Sequence, residues 1–312
     1  MKDFKDWGVK RRCFPNNNYN AIWFNLKTVR LGDGIAKELE LDKAEFYDVG
    51  INTKCNAECP FCYVSAGHEG INYPDICETW KKWMGTYREK VQKKAFKFTF
   101  TEKPFQIAIG STGEPTVHPE FTEFLETVFS TSVVPNYTTN GIILSKYGKS
   151  PIADSIMEAT SNFVGGVAVS FSNLLIRHQA EQAVENLIKY GNTNVNIHHI
   201  ISTKESVDNF IQTWLYYGDD ILYHVLLPLM PSGRSTKGIE DGVFEYLEEQ
   251  VKKNNIKNVA FGAHFINALQ TSKIKTWLYP AESLSKNVIL TKDKVQITPS
   301  SFNLNPIKII NL

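Results

Sequence analysis

Cys55, Cys59 and Cys62 fall within one short stretch, CNAECPFC, with the spacing C-x3-C-x2-C, and the chain of 312 residues holds only five cysteines. Three readings suit such a cluster. The thiols could be small buried residues, although the loop around them is polar. They could hold a structural zinc ion with His68 as fourth ligand, although zinc ligands usually arrive as two separated pairs. They could hold an iron–sulfur cluster. A cubane has four irons and normally takes four thiolates. Three thiolates would leave one iron open, and an open coordination position is what catalysis at a metal needs.

The elements that must position this loop are legible as a rhythm. FYDVGIN, just before it, is short and β-rich. ICETWKKWMGTYREKVQKK, after it, is helical in character. FQIAIG, VVPNYTT, VGGVAVSFS, NVNIHHIIS and ILYHVLLPLM then read as strands, each followed by an amphipathic helix, the last of them GVFEYLEEQVKKNN. NVAFGA reads as a further edge strand. Near-continuous apolar strands alternating with helices predict a parallel sheet covered by helices. Six such units suit either an open doubly wound sheet or a curled, incomplete barrel. In a barrel the chemistry gathers at the C-terminal ends of the strands. The cysteine loop, GSTGEP and TTNG fall there, after the first, second and third strands.

Two flanking segments differ in character. YNAIWFNLKTVRL and IAKELEL read as a hairpin turning at Gly32-Asp33-Gly34. NVILTKDKVQITPSS reads as a hairpin turning at Lys292-Asp293. The expected organisation is an N-terminal β-hairpin extension (1–44), a βα unit (45–262) and a C-terminal β-containing tail (263–312). The formal net charge of +1 gives no field that would draw the chain to long nucleic acid. No stretch reaches the roughly 18 apolar residues of a membrane span. The first residues lack the apolar run of a signal peptide. The cysteine count is odd and clustered, unlike a disulfide framework. A cytoplasmic location is expected.

C-x3-C-x2-C after a first strand, with the aromatic Phe61 before the last cysteine, resembles the radical S-adenosylmethionine superfamily. Further matches follow in order. Thr112-Gly113-Glu114-Pro115 is similar to that family's Gly-Gly-Glu-Pro motif, with Ser111-Thr112 departing from its first glycine. Thr139-Asn140-Gly141 follows strand three, Ser170-Phe171-Ser172 ends strand four, and Leu227 to Arg234 resembles the strand-six ending of several subgroups. The resemblance covers about residues 45 to 262.

The resemblance implies an α/β fold, a partial (β/α)6 parallel barrel. It implies that Cys55, Cys59 and Cys62 hold one [4Fe–4S] cluster whose open iron is chelated by S-adenosylmethionine. One electron from an external flavodoxin- or ferredoxin-like reductant would then yield a 5′-deoxyadenosyl radical that takes a hydrogen atom from the substrate. The cofactor carries this chemistry and the protein orients it. The resemblance places Phe61 against adenine, Gly113 and Glu114 at the methionyl amine, Asn140 at a ligand contact, Ser170 at the ribose and Leu229 beside the adenine. It names no catalytic residue. The tail resembles a degenerate SPASM/twitch-like extension, and residues 263–312 contain no cysteine. That tail leans the substrate toward a peptide or protein, over a nucleoside or small molecule. The rival reading is a non-enzymatic, zinc-stabilised binding module on a degenerate barrel.

Other residues carry weaker signals. Ser170 and Ser172 should share one strand face, and His198 and His199 must point to opposite faces. Asn140 could equally cap a turn. Arg234 could grip a carboxylate or phosphate, or stand as a solvated charge. Cys13, Cys77, Tyr63 and Tyr137 are candidate hydrogen-atom donors or incidental.

Overall fold

Three antiparallel strands come first in the computed structural model: β1 (Val9–Phe14), β2 (Tyr19–Phe24) and β3 (Lys27–Leu31). The structure describes residues 7–14, 19–31, 43–93, 97–192, 194–262, 265, 285–300 and 303–312. β4 (Phe46–Gly50) starts the main sheet and leads through the cysteine loop into α1 (Ile76–Gly85). β5 (Glu89–Lys93) and β6 (Lys97–Thr101) pair antiparallel, and β6 lies parallel to β1, giving a sheet ordered β3-β2-β1-β6-β5.

The chain then alternates through β7 (Gln106–Ile109), α2 (Phe121–Ser130), β8 (Val134–Thr139), α3 (Pro151–Phe163), β9 (Gly166–Ser170) and α4 (Arg177–Lys189). It continues through β10 (Val195–Ile201), α5 (Lys204–Tyr217), β11 (Tyr223–Pro228), α6 (Val243–Lys253) and β12 (Val259–Phe261). These strands run parallel in the order β4-β7-β8-β9-β10-β11-β12. On the far side of β4 lies β13 (Ser285–Thr291), also parallel, followed by antiparallel β14 (Lys294–Thr298) and β15 (Lys308–Asn311). The tail therefore extends the sheet from β4, and its hairpin turns at Lys292-Asp293 as read from the sequence.

Two readings of the sequence are corrected. The N-terminal hairpin turns within YNAIWFNLKTVRL, at Asn25 (φ 44°) and Leu26 (φ 60°), two consecutive left-handed residues as in a type I′ turn. Gly32-Asp33-Gly34 lie outside the described residues. The helix read through Lys94 stops at Gly85, and Glu89–Lys93 instead pairs with β6 as an edge strand exposed along its whole length.

Period-two alternation gives the main sheet two unlike faces. Val49, Ile107, Ile109, Val169 and Ile197 pack with Trp80, Trp83, Phe124 and Val184 of the helices in the principal core. Asp48, Ala108, Thr138, Ser170 and His198 face the other way and line a cavity. The first sheet seals the end of the main sheet away from the cysteine loop. Ala21 and Trp23 pack on Phe105 and Val134 at the starts of β7 and β8, Lys10 Nζ donates to Phe105 O (3.2 Å), and Arg12 donates to the carbonyls of Thr101 and Glu102.

His199 and His224 meet on the helix side of adjacent strands, with Nε2 and Nδ1 3.1 Å apart and rings stacked at 5.4 Å. Both are buried, and His224 Nε2 has no hydrogen-bond partner among the described residues. Burial pushes His224 down to about 4 and His199 well below its ordinary value, the neighbouring ring adding to the effect on His199. The unfolded chain takes up these protons near pH ~6.5, whereas the folded chain does not. The unfolded state thus binds more protons, so the stabilisation is present above pH ~6.5 and lost as pH falls toward ~4. Thermal unfolding followed between pH ~7 and ~5 should show a falling midpoint, and the double variant His199→Phe/His224→Phe should flatten that slope. An unchanged slope would assign the acid sensitivity to other groups.

Candidate metal and cofactor site

β4 ends at Gly50, and the following loop is tied back on itself by backbone bonds. Tyr73 N donates to Ile51 O (3.1 Å), Thr53 N to Ile71 O (2.8 Å) and Cys55 N to Gly67 O (2.9 Å). The loop so folded brings Cys55, Cys59 and Cys62 onto the wall of one cavity of about 320 Å³, at the C-terminal ends of the parallel strands. Phe61, Gly113, Glu114, Asn140 and Ser170 line the same cavity. Leu229 does not. It lines a neighbouring cavity of about 200 Å³ that shares Phe61, Ser172 and Ile200 with the first, while Leu227 lines the first.

The turn after β7 is built against the cysteine loop. Glu114 N donates to Lys54 O (2.9 Å), Asn52 Nδ2 to Glu114 O (2.8 Å), and Thr112 Oγ1 to Asn52 O (2.5 Å). Thr112 thus joins the two loops through its hydroxyl. Gly113 has no such latitude. A Cβ there would stand 2.6 Å from Asn52 Oδ1 and 2.7 Å from Lys54 O, a backbone atom that cannot move aside.

Glu114 is 3% exposed. Its Oε1 accepts from Thr116 N (3.2 Å), Thr116 Oγ1 (2.6 Å) and Thr139 Oγ1 (2.8 Å), and its Oε2 accepts from Asn140 N (2.7 Å). Burial pushes this carboxyl above its ordinary value, and the four donors oppose that rise. Asn140 acts both as a cap and as a contact. Its Oδ1 accepts from Ile142 N (3.0 Å), and its Nδ2 donates to Asn56 Oδ1 (2.7 Å) and approaches Cys55 Sγ at 3.8 Å. Across the cavity, Asn173 Nδ2 donates to Cys59 Sγ (3.1 Å).

Burial, with Glu114 next, pushes the Cys55 thiol up to about 11, and burial also raises Cys59. Asp48 and Glu114 supply the carboxylates of the lining, and no Lys or Arg is among the described lining residues. Such a site favours protonated thiols until a cationic centre enters, which then favours thiolate. Three thiols in one cavity, two of their sulfurs approached by amide N–H donors, form a donor set that fits a cluster. Among the described residues, no three His, Cys, Asp or Glu side chains are arranged to hold a single metal ion. His68 is exposed and outside the cavity lining.

The remaining candidates are spread out. His198 faces the cavity, and burial pushes it down to about 4, a neutral imidazole at physiological pH. Ser172 lines the cavity with Ser170, and its Oγ accepts from Ile200 N (2.7 Å). Tyr63 lines the cavity and donates to Ser111 O (3.1 Å). Tyr137 is buried against Thr160, Cys77 is buried in α1, and Cys13 is exposed on β1. Arg234 grips carbonyls of the cysteine loop. Sequence reasoning missed Asn173, Thr116, Asn52 and Asp48, and read Thr139 only as part of Thr139-Asn140-Gly141. Their one signal was a polar side chain in or beside a strand that ends at the site.

The fold is similar to that of several solved proteins. Among them is SuiB of Streptococcus suis bound to S-adenosylmethionine, at TM-score 0.59 and 12% identity over 86% of this chain and 63% of SuiB. SuiB bound to precursor peptide SuiA superposes with TM-score 0.60 and 15% identity, over 86% of this chain and 62% of SuiB. Polyhistidine-tagged anSMEcpe with bound S-adenosylmethionine gives TM-score 0.52 and 14% identity, over 82% of this chain and 72% of that one. The chain thus spans a little under two thirds of the length of SuiB. No family model and no curated protein matches its sequence.

Proposed function

We propose that this chain is a radical S-adenosylmethionine enzyme. The observation that carries the reading is convergence: Cys55, Cys59, Cys62, Gly113, Glu114, Asn140 and Ser170 come from four separate strand ends and line one cavity. Cys55, Cys59 and Cys62 would hold a single [4Fe–4S] cluster. That cluster, when bound, supplies the electron that cleaves S-adenosylmethionine to a 5′-deoxyadenosyl radical. Every other task falls to the chain. Glu114, fixed by four donors, presents negative charge to the methionyl ammonium, and Gly113 lets backbone approach it. Ser170 suits a ribose hydroxyl. Phe61 and Leu229 frame the smaller cavity as the place for adenine.

A curled sheet supports the partial (β/α)6 barrel. β4 and β11 stand five strands apart in sheet order, which in a flat sheet is roughly 24 Å. Their following loops are hydrogen-bonded, Arg234 N donating to Cys62 O at 2.9 Å. Enclosure shields a reactive alkyl radical from water. We assign residues 45–262 to this barrel, apart from β5 and β6, which pair into the sheet of the N-terminal extension (1–44), and 263–312 to a cysteine-free, SPASM/twitch-like tail. The carboxylates of the lining suit a cationic cofactor and disfavour a phosphorylated substrate. A peptide or protein substrate is supported by SuiB, which has been solved with a precursor peptide. The reductant would be an external flavodoxin- or ferredoxin-like protein, and the setting cytoplasmic. No described helix is long and apolar enough to cross a membrane.

Anaerobic reconstitution tests the reading. About four irons and four sulfides per chain, with 5′-deoxyadenosine formed from S-adenosylmethionine and dithionite, is the expected result. Stoichiometric zinc, no visible absorption and no 5′-deoxyadenosine would replace the enzyme with a zinc-stabilised binding module.

A further inference from the structure

The loop after β11 does more than end a strand. Ser232 Oγ donates to Tyr63 O (3.1 Å), and Arg234 N donates to Cys62 O (2.9 Å). The guanidinium of Arg234 spans the outside of the same loop: Nε donates to Cys59 O (2.8 Å) and Nη2 to Ala66 O (2.7 Å). Four hydrogen bonds thus join segments about 170 residues apart. Gly233, between the two donors, has φ +61°, and a Cβ on it would stand 2.4 Å from Cys62 O. The approach is close enough that the position requires glycine.

Two of the four carbonyls so engaged, those of Cys59 and Cys62, belong to the cysteines themselves. Cys59 O also accepts from Cys62 N (3.2 Å), and Cys62 O from Ser65 N (3.2 Å), so each carbonyl has one partner inside the loop and one across the mouth. The internal bonds shape the turn, and the outer ones fix where the turn sits. A lysine could keep the charge of Arg234 but could not span Cys59 O and Ala66 O together, because its donors radiate from one nitrogen.

We propose that Ser232-Gly233-Arg234 is a latch that closes the curled sheet at its mouth, and that Arg234 is a positioning residue holding the backbone of Cys59 and Cys62 in register. The latch exists without any metal. Its consequence for a cluster rests on the proposed function. Held in place, the loop retains all three thiols on one cavity wall. Released, it lets Cys59 and Cys62 drift from Cys55, which is anchored separately through Gly67 O.

Hydrogen exchange of the iron-free full chain tests the latch first. Arg234→Ala should speed exchange of the amides at 55–67 roughly tenfold, the scale of a lost charged hydrogen bond, and leave the amides of α1 and β7–β9 unchanged. Arg234→Lys should recover only part of that protection. Unchanged exchange at 55–67 in Arg234→Ala, or full recovery by lysine, would overturn the latch. Should Arg234→Ala fail to fold, Ser232→Ala removes one bond alone and should give a smaller local increase; no increase would overturn it equally.

The second readout is the reconstituted protein. Arg234→Ala should lose iron to a chelator faster than wild type and show a lower cluster reduction potential, because a cation beside Cys59 is gone. Arg234→Lys should restore the potential and not the iron retention. Identical retention and potential in all three proteins would overturn the positioning role. A wild-type chain that binds no cluster, yet shows the stated exchange pattern, would uphold the latch and remove the enzymatic reading.

Discussion

Cys59→Ala should give a folded protein that forms no measurable 5′-deoxyadenosine. The Cys59 thiol is partly exposed on a cavity wall, and the partner of its sulfur is the Asn173 amide at 3.1 Å. Removing it takes nothing from the hydrophobic core, so the thermal midpoint should stay near that of wild type. The loss falls on ligation. Two thiols cannot hold a cubane as three do, and a lost ligand should cost more than the roughly 10–100-fold typical of outer-shell partners. Cys13→Ala is the matching control, since Cys13 is exposed on β1 in the other sheet. Iron content, circular dichroism and 5′-deoxyadenosine yield, measured on both variants, separate ligation from folding. Full activity in Cys59→Ala would contradict the assignment.

Glu114→Gln should be nearly as damaging, for a different reason. The carboxylate accepts four hydrogen bonds, three at Oε1 and one at Oε2. A glutamine has one acceptor oxygen and one NH2 that can only donate. Whichever way it is turned, an N–H faces another donor, either Asn140 N or the Thr116 and Thr139 set. A buried donor left unpaired costs about 1–3 kcal/mol, so the thermal midpoint should fall. The charge that would meet the methionyl ammonium is lost as well. S-adenosylmethionine cleavage should drop by roughly 100-fold or more, a scale consistent with losing a charged hydrogen bond of about 2–5 kcal/mol. Cluster content should stay near wild type, because Glu114 is not a ligand. Wild-type cleavage with a lowered midpoint would restrict Glu114 to a structural role.

The parallel sheet and its helices were legible because they are periodic. Near-continuous apolar strands such as VGGVAVSFS and ILYHVLLPLM, each followed by an amphipathic helix, appear where read, as does the edge strand Val259–Phe261. The errors lie where local chemistry is atypical. Asn25-Leu26 turns the hairpin with a leucine at positive φ, an unfavourable residue for that conformation, whereas Gly32-Asp33-Gly34 carries the usual turn residues. Glu89–Lys93 is polar enough to continue a helix on propensity alone, and its strand character comes from pairing with β6.

The site was legible to the extent that it is a motif. Cys55, Cys59, Cys62, Phe61, Gly113, Glu114, Asn140 and Ser170 line one cavity because they occupy the ends of parallel strands. Leu229 fell in the adjoining cavity because Leu227, two residues earlier, takes the inward place in the first. Contacts made across the sheet left no trace in spacing. Asn173 reaches Cys59 over 114 residues, and Arg234 reaches it over 175. Pairings of that kind depend on how strongly the sheet curls, which no local pattern encodes.

Electron paramagnetic resonance of the anaerobically reconstituted, dithionite-reduced protein, recorded before and after adding S-adenosylmethionine, bears most directly on three thiols leaving one iron open. A signal of a reduced [4Fe–4S] cluster that changes when S-adenosylmethionine is added is the predicted result. A protein without such a signal, or with one that S-adenosylmethionine leaves untouched, would contradict it.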